Sequence, residues 1–175
     1  MAAATAPAWM FAALLLVAGT VKVARPATTE AALQGTRLPS DTRVVRALGL
    51  AELVLATTVL LVGGRIPAAV LAVAYTAFAG FTAHQSRRGA GCGCFGDASV
   101  PATKLHVAVD AAGAGCAGIA AVVGAPALPD AVAGASERVL VVGCVALGAL
   151  LLRLMLTVVP ELAAAVALHR AEDAA

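Results

Sequence analysis

Charge is what this sequence has least of. Only 13% of its 175 residues are Asp, Glu, Lys or Arg, against 61% hydrophobic, and a mean hydropathy of +0.94 exceeds what a soluble surface of this size tolerates. A water-soluble globule is thereby excluded, and lipid is the expected solvent for most of the chain. The formal net charge of +2 comes from scattered Lys and Arg. No basic run is interleaved with aromatics, so nucleic-acid binding has no support. Nucleophile triads, glycine-rich phosphate loops and paired-histidine zinc signatures are also missing, which leaves hydrolysis, nucleotide chemistry and metalloproteolysis without a foothold. The four cysteines do not read as a disulfide framework, because such frameworks serve small secreted domains short of apolar core.

What is present is a succession of apolar runs. Crossing a hydrocarbon core takes about 20 apolar residues, and runs near that length predict spans at 8–23, 44–62, 66–83, 105–124 and 139–159. The expectation is one all-α, polytopic transmembrane bundle of four to five spans over residues 1–175. The first run carries its charge after it, at Lys22 and Arg25, which marks a retained span and not a secretory signal. Gly63-Gly64-Arg65, with Pro67 close behind, makes the second and third runs a hairpin. Residues 26–43 read as a polar connection and 84–103 as a loop rich in Gly, Ser and charge. Pro160 reads as the break that ends the fifth helix. Most Lys and Arg flank the membrane on the side of the 84–103 loop, which by the positive-inside rule puts that loop in the cytoplasm.

Within that loop lies Gly91-Cys92-Gly93-Cys94-Phe95-Gly96. The glycines let the backbone bring both sulfurs inside the distance a disulfide requires. So small a ring is strained and exchanges readily, and Arg87, Arg88 and Lys104 nearby favour the thiolate that exchange uses. Three readings of the pair stay open: a redox couple, a ligand pair for a soft metal ion such as Cu(I) or Zn(II), or two plain thiols in a turn. Cys116 and Cys144 fall at similar depth on the fourth and fifth runs, which makes them a candidate second thiol pair, although core packing is the default role of such residues.

Ionisable groups inside apolar runs need partners or a wet cavity. Lys22 closes the first run and Glu52 enters the second, so each is the natural partner of the other, and Asp110 must face protein. His84 and His106 flank the loop at the membrane edge, where they serve as anchors, as proton donors to the cysteines or as further metal ligands.

Taken together, Gly-Thr-Val-Lys closing the first span, Glu52 in the second and Cys-Gly-Cys-Phe-Gly after the third resemble the methylamine utilisation protein MauE family, itself similar to DoxX-like membrane proteins. The resemblance covers roughly residues 8–121. It implies a multi-pass protein of the bacterial cell membrane that supports maturation of the methylamine dehydrogenase β subunit beside a thioredoxin-like, MauD-like partner. On that resemblance Cys92 and Cys94 exchange disulfides with partner or substrate, and the bundle hands electrons onward, with quinone as the candidate acceptor. The family's substrate matures outside the cytoplasm, in conflict with the sidedness read from charge.

Overall fold

In lipid every backbone N–H and C=O must be bonded within the protein, so apolar runs of this length fold as helices. The computed structural model describes residues 2–34, 36, 38–93, 101–131 and 134–172. Among them lie six helices: α1 Ala2–Ala24, α2 Pro26–Leu33, α3 Thr42–Leu61, α4 Arg65–Arg88, α5 Lys104–Val123 and α6 Ala135–Glu172. All except α2 are long and apolar enough to cross a membrane. The protein is therefore an all-α, multi-pass bundle, as its composition predicts.

Helix α1 is the hub. It packs against α3, α5 and α6, and α4 pairs with α5, whereas α3 and α4 touch each other sparingly despite the tight turn that joins them. Phe11, Leu14 and Leu15 of α1 meet Val59, Leu71, Tyr75, Ala117 and Leu156 from the four surrounding spans. Outward-facing side chains stay apolar, among them Val54, Ile66, Val122 and Val139. In water such a surface would aggregate, but in a bilayer it is the solvated face.

The structure departs from the sequence expectations in three places. Residues 26–33, read as part of a polar connection, form helix α2, started by Pro26 at its first position. Helix α4 runs to Arg88 and stops only at Gly89, which adopts the left-handed cap conformation at φ 63°. The loop read as starting at residue 84 thus begins later, and His84 is a helical residue exposed to the surroundings. Finally, Pro160 does not end the last helix, which continues to Glu172. A proline costs a helix one amide donor and strands the carbonyl four residues earlier, here that of Leu156. The ring of His106 on α5 hydrogen-bonds the Leu156 backbone, so the stranded acceptor finds a partner on a neighbouring helix, the usual way membrane helices accommodate proline.

Candidate functional site

The chain's polar side chains converge at one end of the bundle, where α1 ends, α3 begins, α4 ends and α5 begins. Two glycines set the spacing. A Cβ on Gly19 of α1 would lie 2.8 Å from the Gly49 carbonyl of α3, and a Cβ on Gly49 would lie 2.8 Å from the Gly19 carbonyl. Only glycine on both helices permits this approach, a small-residue contact of the kind that drives helix association in lipid. One turn onward from each glycine stand Lys22 and Glu52. The close approach brings Lys22 Nζ to 2.8 Å from Glu52 Oε2, with both side chains about 95% buried (5% and 4% exposed). The partnership expected from sequence is therefore formed. The ammonium also sits 5.8 Å from the centre of the Phe78 ring, within reach of the attraction between a cation and an aromatic face.

Asp110 of α5 hydrogen-bonds the Thr82 hydroxyl of α4 at 2.9 Å, which gives this carboxyl the protein-facing partner that its position demanded. His106 accepts from the Thr103 amide at Nδ1, 3.2 Å away, leaving Nε2 as the donor toward Leu156. Tyr75 donates to the Phe11 carbonyl at 2.7 Å and stacks edge-on with both Phe11 and Phe78.

Cys92 is held over this cluster by the short helix that the sequence reading missed. Thr29 of α2 donates to the Gly93 carbonyl at 3.0 Å. Gln85 donates to the Ala32 carbonyl at 2.8 Å and to the Gly91 carbonyl at 3.1 Å, tying α2, α4 and the cysteine segment together. Gly93 has φ 65°, and a Cβ there would lie 2.6 Å from the Ala32 Cβ. The glycine between the two cysteines is thus required both by its backbone conformation and by contact with α2. On the far side an isolated bridge pairs Gly91 with Pro101, and the Ala102 amide donates to the Ala90 carbonyl at 2.9 Å.

The Cys92 side chain is buried and disulfide-bonded, and it stands between two cavities. The inner one, about 30 Å³, is lined by Lys22, Tyr75, Cys92, His106, Asp110 and Leu156 among others, which is room for a water molecule among groups able to bond it. The outer one, about 190 Å³, is lined by apolar side chains of α2, α3, α4 and the α2–α3 connection together with Thr29, Lys22 and Cys92.

Of the residues singled out from sequence, Lys22, His106, Asp110 and Cys92 meet around the inner cavity, with Glu52 behind Lys22. Cys94, Phe95 and Gly96 lie outside the described residues. Cys116 and Cys144 are free thiols; Cys116 packs against the core while Cys144 is exposed on α6, so the second pair suggested by their depth is not formed. Among the described residues no three His, Cys, Asp or Glu side chains group as metal ligands. Gly49, Thr29, Phe78, Thr82 and Gln85 were missed, and Gly19 entered only as the start of the Gly-Thr-Val-Lys motif. The two glycines carried a legible signal, since each precedes the charged residue of its helix by three positions.

The family model described as methylamine utilisation protein MauE matches residues 1–124. No curated protein and no solved structure matches the chain.

Proposed function

The chain belongs to the methylamine utilisation protein MauE family, as a multi-pass membrane accessory to methylamine utilisation, and from that premise we propose that it exchanges disulfides through Cys92 and Cys94 with a thioredoxin-like protein at the outer face of a bacterial cell membrane. The observation that carries the reading is the state and setting of Cys92. Its sulfur is disulfide-bonded and sealed over a polar, membrane-depth cluster, while Cys116 and Cys144 stay free, which makes Cys94 the partner we assign to it.

In this reading a partner thiolate attacks Cys94, because Cys92 is buried and shielded from so large a reactant. The Cys92–Cys94 bond breaks, a mixed disulfide forms, and the Cys92 thiolate departs into a site whose two cavities Lys22 also lines. A second thiolate on the partner attacks the mixed disulfide and releases Cys94. The partner loses two electrons and two protons and becomes a disulfide, while Cys92 and Cys94 become a dithiol. Burial of the Lys22 and Glu52 charges against each other keeps a fixed polar scaffold beside the leaving sulfur, with Asp110 and His106 across the inner cavity.

Cysteine replacement tests the proposal. Cys92→Ser is expected to form a mixed disulfide when its Cys94 thiolate attacks the disulfide of an oxidised thioredoxin-like partner and displaces the partner's second thiolate, visible as a reducible adduct, while Cys94→Ser removes both adduct and exchange. Exchange that survives both substitutions contradicts the reading, and stoichiometric Cu(I) or Zn(II) binding by a pair without a two-electron couple assigns the same residues to metal instead. In intact cells a membrane-impermeant thiol reagent should modify the reduced pair from outside. Labelling only after the membrane is opened would remove the extracytoplasmic partner.

A further inference from the structure

A dithiol at Cys92 and Cys94 must be reoxidised before the next exchange, and the outer cavity offers a route. It lies where α3 and α4 diverge, floored by α2, with Thr29, Leu33, Leu48, Phe78 and Phe81 in its walls. Leu48 and Ala77, at its mouth, are exposed on the outward face of α3 and α4, and Leu38 on the connection between α2 and α3 is exposed beside them, so the opening lies on the apolar outward face near the end of the spans. Its lining is apolar except for Thr29, whose hydroxyl donates to the Gly93 carbonyl, the Lys22 ammonium and Cys92. Glu52 takes one donor of that ammonium; an ammonium carries three.

From this arrangement we propose that the cleft between α3 and α4 binds the head group of a lipid-soluble quinone, which takes the electrons of the Cys92/Cys94 dithiol. The inference rests on the disulfide-exchange reading above. At about 190 Å³ the cavity falls below the roughly 300–1,000 Å³ typical of pockets that enclose a whole drug-sized ligand, which suits a single ring whose tail stays among the lipids. Phe78 and Phe81 supply flat apolar surface for the ring. Lys22 supplies the donor for one carbonyl oxygen, and its position beside Cys92 sets that end of the ring against the sulfur. The step balances without another reactant: two S–H bonds break, one S–S bond forms, and the quinone gains two electrons and two protons to become a quinol.

The test uses the full chain in lipid nanodiscs and a benzoquinone carrying one isoprenoid unit. Reduced protein is expected to convert one equivalent of quinone to quinol while its two thiols disappear, followed by quinone absorbance and by alkylation mass. Ala77→Trp and, independently, Leu48→Trp narrow the mouth from opposite helices. Each should lower the rate of quinone reduction at least tenfold relative to the rate of exchange with a small soluble dithiol measured on the same sample. An azido-quinone should label α3 or α4 near the cleft in the Cys92→Ser protein, which reports binding without turnover. Equal rates in both tryptophan variants, or labelling confined to other helices, overturns the proposal. If the wild-type protein fails to exchange with the soluble dithiol, the disulfide reading itself fails, and the two failures are told apart by that arm.

Discussion

Where α3 turns into α4, the bundle is closed by main-chain hydrogen bonds: the Gly64 amide donates to the Ala125 carbonyl at 2.6 Å and the Leu128 amide to the Leu60 carbonyl at 2.8 Å. At the other end one backbone bond, from the Ala102 amide to the Ala90 carbonyl, ties the cysteine segment, and side chains supply the further ties. Lys22 with Glu52, Gln85 with Ala32 and Gly91, Thr29 with Gly93 and Thr82 with Asp110 join five helices and the cysteine segment. Backbone closure depends little on residue identity and serves a turn. Side-chain closure depends on it entirely, and it gathers buried polar groups at membrane depth, where such groups are expensive and mark function. The difference separates the end closed by its turn from the end to which the proposed chemistry is assigned.

That contrast can be broken on purpose, and the largest effect is expected from the ion pair. Glu52→Gln or Lys22→Met alone leaves one buried charge without its counterpart and should cost roughly 3–5 kcal/mol, whereas replacing both with apolar residues should recover most of the loss. Reversible unfolding in mixed micelles of the two single variants and the double variant measures this. Next is Gly49→Val, which forces β-branched bulk against the Gly19 carbonyl and Lys22 and should cost about 1–3 kcal/mol. Gly80→Val, at a position with nothing within 4 Å of its Cβ, is the control and should lose far less.

At the opposite end, Leu128→Pro removes the amide that bonds Leu60 and should cost about 1–2 kcal/mol in the same assay. The contrast sharpens if that loss leaves the thiol chemistry of Cys92 unaltered, as read by alkylation kinetics, while Gly49→Val alters it. The smallest effect is Thr82→Val, which takes one hydrogen bond from Asp110. In membrane proteins such bonds average about 0.6 kcal/mol, so stability should barely move, and a change in exchange rate well beyond that figure would give Asp110 a part in the chemistry.

The backbone-closed end is legible in the sequence. Glycine pairs, Pro67 and the hydropathy of α3 and α4 mark turn and spans directly, because in lipid the helix is the one conformation that satisfies an apolar segment. Lys22 and Glu52 were legible for the complementary reason, since two opposite charges in neighbouring apolar runs have few ways to avoid being paired. Helix α2 was not, because its eight residues are polar enough to resemble a connection and gain their order from Gly93 and Gln85, which are distant in sequence. The added turns of α4 were hidden likewise: Gln85 lowers local hydropathy yet is buried through bonds to two backbone carbonyls. Continuation of α6 through Pro160 depends on His106 of another helix, a contact that no pattern within α6 encodes. For the site, the residue types could be named in advance, but the glycine contact that sets their spacing and the two cavities that meet at Cys92 are properties of packing.

The most direct test of the account is a redox titration of the purified chain, equilibrated across a series of dithiol and disulfide buffers, acid-quenched, alkylated and weighed. A reversible transition in which Cys92 and Cys94 change state together, at the two-electron slope of about 30 mV per tenfold change in ratio, while Cys116 and Cys144 stay alkylatable throughout, is the predicted result. Independent alkylation of Cys92 and Cys94 at every potential, with no shared transition, would contradict it.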